Sequence, residues 1–314
     1  MITISLTVGC AAAPRASVGP IATRRATVTP TPTRTPSPTS TPLIVEPHTL
    51  TGDLANQVTR LESAMPGADS QKFVVPTDME KAEFAELVRQ LLAGNAGRGG
   101  GLAAENNYEL LTYQDRGEND ATSWLLRELK PARKGWGLYA FRVEATQALI
   151  VEAPHPLADE NTPLVALDIY RALHARALLV AGAHRHANSD GSADAAHNPQ
   201  TIFNAIHEAL TESGAPIVLQ VHGFATSKHP GYPQIVLSHD LGVKTDLLEQ
   251  LAAALTTQGL TVGVCDGILY TDLCGETNVQ SLHMAAGVFI HIEMDETVRR
   301  DDRGLLLALA QVFP

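Results

Sequence analysis

From residue 147 onward, short apolar runs alternate with longer segments that have helical spacing. The apolar runs are QALIVEAP, RALLVAGAH and PIVLQVHG, and TPLVALDIYRALHA and NPQTIFNAIHEALTESG separate them. Strands that are apolar throughout are buried on both faces, and a helix between two strands allows them to run parallel. The pattern predicts an α/β fold, a three-layer sandwich in which helices cover both faces of a central, largely parallel mixed β-sheet.

The remaining segments extend this pattern. Strands are predicted at PQIVLSH, LTVGVCD and AGVFIHIEM, and helices at KTDLLEQLAAALTTQG and around GLLLALAQVF. Upstream, DMEKAEFAELVRQLLAG predicts an amphipathic helix, GNAGRGGG a flexible loop, and NYELLTYQD, ATSWLLREL and GWGLYAFRV short strands. With 314 residues, of which 44% are hydrophobic, the chain can bury a full core. We therefore assign residues 49–314 to a single α/β domain.

The first 48 residues have a different composition. Residues 1–10, MITISLTVGC, resemble a truncated lipoprotein-type signal segment, in which Cys10 would be lipidated. Residues 11–48 include the tract TVTPTPTRTPSPTSTP, which cannot bury a core and is predicted to be a disordered, extended linker. Together they predict a protein that is exported and anchored to the outer face of a bacterial membrane as a lipoprotein, with the lipid as its only membrane contact. A tail of no specific use is the alternative.

The charge and the cysteines bear on partners and compartment. A net charge of −11, with no cluster of basic residues in the predicted domain, argues against nucleic acid as a partner. Apart from Cys10, the chain has only Cys265 and Cys274, which lie close together in VCDGILYTDLCGE. A disulfide between them is expected in an oxidising compartment, and two reduced core cysteines are the alternative.

Four predicted strands end in polar side chains. The stretches VEAPHPLAD, VAGAHRHAN, LQVHGF and FIHIEMD contain His155, His184, His222 and Glu293. In open α/β sheets, ligands bind beyond the carboxyl ends of the strands. We therefore expect these four side chains to project from one edge of the sheet.

A catalytic zinc site would account for this placement. Such a site needs about three His, Asp or Glu ligands and one open position. His155, Asp159 and His222 supply that set, with Glu160 as the alternative carboxylate. Each histidine taken alone is more simply a core or surface residue, and another divalent metal would also fit these ligand types.

Two further residues suit catalysis. Glu293 follows the apolar run VFIHI and would serve as a general base near the metal, unless it pairs with a neighbour such as Arg299. Arg185 would bind a substrate carboxylate or stabilise an oxyanion, unless it forms an ion pair with Asp194. Asn198 or Asp194 can also cap the helix that we expect to begin near Pro199.

The order of these motifs resembles a known group of enzymes. PHPLAD, AHR, DAAHN, QVHGF and HIEM resemble the zinc-dependent hydrolases related to N-formylglutamate amidohydrolase and poly-γ-glutamate hydrolase, over about residues 135–314. The resemblance implies the fold of the zinc carboxypeptidases, Zn²⁺ as the cofactor, and zinc-bound water as the nucleophile.

The resemblance also places roles on individual residues. It implies zinc ligands at His155, Asp159 and His222, an arginine at Arg185 and a general base at Glu293. Further candidates for substrate binding are His184, Asp194, His197, Asn278 and Gln280, the last two in TNVQ. The chain departs from the HxxE spacing of carboxypeptidases, because position 158 is alanine, and HR and DAAHN replace the SR and DxNR of formylglutamate hydrolases.

The function expected from these features is hydrolysis of an amide bond in a small-molecule or peptide-like substrate that bears a carboxylate. One alternative is a lipoprotein that binds a metal or ligand on a hydrolase-like scaffold without catalysis. Another is an interaction domain without metal, in which the histidines serve packing.

Overall fold

A computed structural model describes residues 41–129, 133–145, 147–212, 214, 216–239 and 244–314. Cys10 and the Thr/Pro-rich tract lie outside the described residues. One compact unit spans Pro42–Pro314. No helix within the described ranges is long and apolar enough to cross a membrane.

One mixed sheet forms the centre of this unit. Its strands in the described residues are β1 His48–Gly52, β2 Tyr108–Asp115, β3 Ala121–Glu128, β4 Leu138–Arg142, β5 Leu149–Ala153, β6 Ala177–Val180, β7 Ile217–Gly223, β8 Ile235–Ser238, β9 Val262–Val264 and β10 Val288–Met294. They lie in the order β1-β2-β3-β4-β6-β5-β7-β10-β8-β9. The central strands β6, β5, β7 and β10 are all parallel to their neighbours in this group. The predicted fold class, a largely parallel mixed sheet, is confirmed.

Helices cover both faces of the sheet. They are α1 Leu54–Glu62, α2 Asp78–Leu92, α3 Ala96–Glu105, α4 Thr162–Ala172, α5 Ile202–Thr211, α6 Asp246–Thr257, α7 Val279–Leu282, α8 Glu296–Arg300 and α9 Arg303–Val312. One apolar core joins the sheet to α1, α4, α6 and α9, and a second joins it to α2, α3 and α5. With one core on each face of the sheet, the helices and the sheet form the three predicted layers.

Local signals explain where several helices begin. Thr77 and Glu80 form a reciprocal capping box at the start of α2, and the side chains of Thr201 and Thr245 accept backbone N–H groups at the starts of α5 and α6. The expectation that this helix begins near Pro199, with Asn198 or Asp194 as its cap, is therefore corrected. The cap is Thr201, and α5 begins at Ile202.

Two further elements differ from the sequence-based expectation. GNAGRGGG was predicted to be a flexible loop, but most of it lies in α3. A Cβ on Gly100 would lie 2.0 Å from the carbonyl oxygen of Val45, so glycine is what allows the chain to cross this helix so closely. Strand β1, which begins at His48, was not predicted; it pairs in parallel with β2 at the edge of the sheet.

The Cys265 and Cys274 side chains are joined in a disulfide, with their Cα atoms 5.8 Å apart. Both cysteines are buried in a small apolar cluster with Phe224, Val236 and Leu273. The bridge therefore ties the segment after β9 to the wall of the cleft described next.

Candidate metal centre

Two neighbouring strands bring the central polar residues together. In the parallel pair β7 and β10, His222 is in register with Glu293, and Gln220 with His291. Side chains two residues apart on a strand share a face, so all four lie on the same face of the sheet at its carboxyl edge. This polar patch continues the face that carries Val218 and Phe289 in the second apolar core.

The turn after β5 adds the third element. Backbone N–H groups of Ala158 and Asp159 donate to the carbonyl oxygen of His155, at 3.1 and 2.9 Å. This single helical turn places Asp159 four residues after His155 on the same side of the turn. Glu160, one residue further, is exposed and makes no contact with the histidines, so Asp159 is the carboxylate that faces them.

Three ligand atoms converge at this point. Oδ2 of Asp159 lies 3.3 Å from Nδ1 of His155 and 3.2 Å from Nδ1 of His222. Ligands around a tetrahedral zinc ion with bonds of 2.0–2.2 Å are separated by about 3.3–3.5 Å. The donor set and its spacing fit Zn²⁺, and all three residues are buried.

The other ring nitrogen of each histidine already has a partner. Nε2 of His155 lies 2.8 Å from Oδ1 of Asp194, and Nε2 of His222 lies 2.8 Å from Oε1 of Gln220. Histidines that bind a metal usually donate their second N–H to such an acceptor, which orients the ring. Two other groups in the described residues have metal-ligand geometry, His155 with Asp194 and His197, and His222 with His291 and Glu293. The group with Asp159 is favoured because it leaves both of these hydrogen bonds intact.

Glu293 has a carboxylate oxygen without a protein partner. It is 9% exposed, and its Oε2 atom is buried without a hydrogen bond. Arg299, the alternative partner, donates instead to the backbone carbonyls of Glu160, Phe224 and Asp295. Its other oxygen, Oε1, lies 3.8 Å from Nε2 of His291, so Oε2 is the atom available to exchange protons with a bound substrate.

Arg185 lies on the other side of the ligand atoms. Its Nη2 atom is 2.7 Å from Oδ2 of Asp194, and its Nη1 atom is 3.4 Å from Nδ1 of His155. The ion pair with Asp194 therefore exists, and it also holds the guanidinium at the edge of the site. Asp194 is engaged by His155, His197 and Arg185, so it supports the site rather than binding substrate as expected.

Burial and mutual contacts set the charges in the centre. Burial raises the pKa of Asp159, but its close contacts with His155 and His222 outweigh this and hold the pKa well below its usual range. Burial lowers the pKa of His155 and of His222; the contacts of His155 with Asp159 and Asp194 reverse the effect, whereas the pKa of His222 stays lowered. Burial, followed by the charge of Asp159, raises the pKa of Glu293 well above its ordinary value.

The centre opens into a cleft of about 870 Å³. His184, Arg185 and His197 line it together with the ligand residues, so these side chains are available to a bound molecule. Asn278 also borders the cleft, but its side chain points back to Gln220. Gln280 is fully buried and bonds to Ala195 and Asn204, so the expectation that it contacts substrate is wrong.

Sequence reasoning missed three buried residues behind the centre, namely Glu152, Gln220 and His291. Each is a polar residue within a largely apolar strand, in LIVEA, IVLQVHG and VFIHIEM. A polar side chain two residues before His222 or Glu293 shares its face of the sheet, and that spacing was the available signal. His207 is also buried, and its Nδ1 atom lies 2.7 Å from Oε1 of Glu152.

No protein-family model matches the chain, and no curated protein matches it. Among solved structures, a bacteriophage poly-gamma-glutamate hydrolase matches at 12% identity and a TM-score of 0.40, over 58% of this chain and 88% of its own. N-formylglutamate amidohydrolase from Ralstonia eutropha JMP134 matches at 14% identity and a TM-score of 0.38, over 55% and 96%. An aspartoacylase family protein from Mesorhizobium loti matches at 14% identity and 0.36, over 65% and 66%.

The first two of these are the enzyme types whose motif order the sequence resembles. Similarity at this level carries no activity over to the chain. The function is therefore inferred from the geometry of the site.

Proposed function

We propose that the protein is a zinc-dependent hydrolase that cleaves an amide bond in a peptide-like or N-acyl amino acid substrate bearing a carboxylate. The observation that carries this proposal is the convergence of His155, Asp159 and His222 beside an unpaired carboxylate oxygen of Glu293. A site that only bound metal would have no need for a buried carboxylate oxygen without a hydrogen bond in the same cleft.

Each residue has a distinct role in the proposed reaction. His155, Asp159 and His222 would hold Zn²⁺, which polarises a carbonyl oxygen and makes water more acidic when bound. Glu293 accepts a proton from the attacking water and delivers it to the leaving nitrogen, so that the amide yields a carboxylate and an amine. Arg185 donates N–H groups toward the negative charge that develops on the carbonyl oxygen.

Two cationic side chains in the cleft can meet a substrate carboxylate, although acidic residues such as Glu160, Glu276 and Glu296 also line it. Lys228 lies in its wall, is exposed and, like Arg185, carries a positive charge that a substrate carboxylate can meet. Export and lipid anchoring through Cys10 remain part of the proposal. The disulfide between Cys265 and Cys274 supports an oxidising compartment, where such bonds persist.

The proposal is tested by hydrolysis of a panel of N-acyl amino acids and short peptides by the zinc-loaded, full-length protein. Each substrate is paired with the matching C-terminal carboxamide. We expect cleavage of the carboxylates and weaker cleavage of the carboxamides. No cleavage of any amide by zinc-loaded protein would contradict a hydrolase and favour a protein that only binds metal or ligand.

The role of Glu293 is tested by Glu293→Gln, with Glu296→Gln as a control in the same cleft. Glu293→Gln should lower kcat by about 10²- to 10⁴-fold, the usual contribution of a general base, while zinc binding is retained. Glu296 is half-buried and its carboxylate accepts only the backbone N–H of Thr226 among the hydrogen bonds of the described residues, so its variant should retain turnover. Retained turnover in Glu293→Gln would remove Glu293 as the base.

A further inference from the structure

Behind His222 lies a buried network of amide side chains. Gln220 is at its centre and is fully buried, as are Glu152 and Gln280, while Asn278 is 2% exposed. Oε1 of Gln220 lies 2.8 Å from Nε2 of His222 and also contacts Nδ2 of Asn278. Nε2 of Gln220 lies 2.9 Å from Oε2 of Glu152 and 3.2 Å from Oε1 of Gln280.

Backbone groups fix the orientation of two of these amides, because a backbone N–H can only donate and a carbonyl can only accept. The N–H groups of Gln280 and Ser281 donate to Oδ1 of Asn278, at 3.0 and 3.4 Å, so the NH₂ of Asn278 faces Gln220. Nε2 of Gln280 donates to the carbonyl oxygen of Ala195 at 2.9 Å, so the oxygen of Gln280 faces Gln220.

These two anchors determine the orientation of Gln220. The oxygen of Gln220 accepts from Asn278, and its NH₂ donates to Gln280 and to the carboxylate of Glu152. An acceptor therefore faces Nε2 of His222. That nitrogen makes a hydrogen bond to Gln220 only when it carries the proton, and in the neutral ring the lone pair is then on Nδ1.

The other neighbour of His222 favours the opposite arrangement. Oδ2 of Asp159 lies 3.2 Å from Nδ1 of His222, and a carboxylate beside that nitrogen attracts a proton to it. A metal ion needs the lone pair of Nδ1, so a proton placed there must be displaced on binding. The acceptor on Gln220 decides which nitrogen keeps the proton.

We infer that Gln220, oriented by Asn278, Gln280 and Glu152, is a positioning residue that holds the proton of His222 on Nε2 and so presents the Nδ1 lone pair to the metal. This inference deepens the proposed function and rests on its zinc site. Gln220 touches neither substrate nor metal, and it acts only through His222.

The tautomer of His222 is measured by ¹⁵N NMR on histidine-labelled, zinc-free protein at pH 8, with the His222 signal identified by its loss in His222→Asn. We expect a protonated Nε2 in the wild type. In Gln220→Met, which has similar volume but no acceptor, Asp159 remains and we expect the proton to move to Nδ1. If Nε2 of His222 carried no proton in the wild type, that result alone would overturn the inference, whatever the variants showed.

Zinc affinity, measured by competition with a chromophoric chelator, provides the second readout. Gln220→Met should bind zinc about 10- to 100-fold more weakly than wild type, the range typical of lost partners behind a metal ligand. Ser123→Ala is the matched control, because it removes a buried strand hydrogen bond, 2.6 Å from Ser123 to Tyr170, away from the centre. It should leave zinc affinity unchanged.

The outcomes separate this inference from the proposed function. Equal zinc affinity in wild type and folded Gln220→Met would overturn the positioning role while leaving the zinc site intact. A wild-type protein that binds no zinc would overturn the proposed function, and the tautomer measurement would still report on Gln220.

Discussion

At the scale of single residues, the choice of metal ligand follows from the geometry of one turn. A residue four positions after His155 returns to within roughly 40° of it around the helical turn, whereas a residue five positions after it is rotated by roughly 140°. Asp159 therefore faces His155 and His222, while Glu160 faces solvent and offers its backbone carbonyl to Arg299. The chain lacks the acid of the HxxE motif, because position 158 is alanine. The turn after β5 instead brings Asp159, one position later, to the two histidines.

The neighbouring acids provide a matched pair of variants. Asp159→Asn should weaken zinc binding by at least about 10-fold, because a neutral amide replaces an anionic ligand. Glu160→Gln should leave it unchanged, since its side chain is exposed. Chelator competition checks both, and equal affinities in the two variants would show that Asp159 is not the ligand.

Sequence reasoning identified the residues at the strand ends, but it did not determine which of them face the cleft and which lie behind it. His155, Asp159 and His222 could be proposed because each follows an apolar strand. Gln280 was expected in the cleft, yet it lies behind it, since a short helix, α7, turns it inward. The direction of a side chain in an irregular loop depends on tertiary contacts that residue spacing does not encode.

At the scale of elements, α3 shows that a glycine-rich stretch does not always indicate a loop. Its glycines have poor helix propensity, but they allow residues 43–45 to cross the helix at close range. This contact stabilises the helix through residues that are distant in sequence, so the GNAGRGGG stretch alone does not predict it. By contrast, the strands and helices from residue 147 onward were predictable, because their apolar periodicity is strong and local.

Substitution of two glycines in α3 tests this interpretation. Gly100→Ala should lower the free energy of unfolding by about 1–3 kcal/mol, since its Cβ would meet the rigid backbone of Val45. Gly97→Ala should cost less, because its nearest neighbour is the flexible side chain of Glu46 and alanine favours helix. Urea denaturation measures both, and equal losses would contradict the close-approach explanation.

At the scale of the whole molecule, stability should depend on pH through Asp302. Burial and the charge of Asp168 raise the pKa of Asp302 from 3.8 to about 6. Its Oδ2 atom is buried without a partner. An acid whose pKa is higher in the folded state is destabilising when it is charged, so this cost is absent at low pH, grows as pH rises from about 4 to 6, and is constant above that range.

Asp302→Asn should therefore raise the melting temperature at pH 7 to 8, and the difference from wild type should shrink toward zero near pH 4. Asp302 makes no side-chain capping bond to α9, so the substitution removes no cap. Melting curves across this pH range provide the measurement. A difference that grew toward low pH would have the wrong sign and would contradict the buried-acid explanation.

The proposed hydrolase function and the role of Gln220 both depend on zinc binding at this site. The direct measurement is the zinc content per chain of the full-length protein after reconstitution and removal of excess metal, compared with the double variant His155→Ala/His222→Ala. We predict about one equivalent in the wild type and almost none in the double variant, because the variant retains only Asp159 of the three ligands. Less than about half an equivalent in the wild type, or equal zinc content in both proteins, would contradict a metal centre at this edge of the sheet.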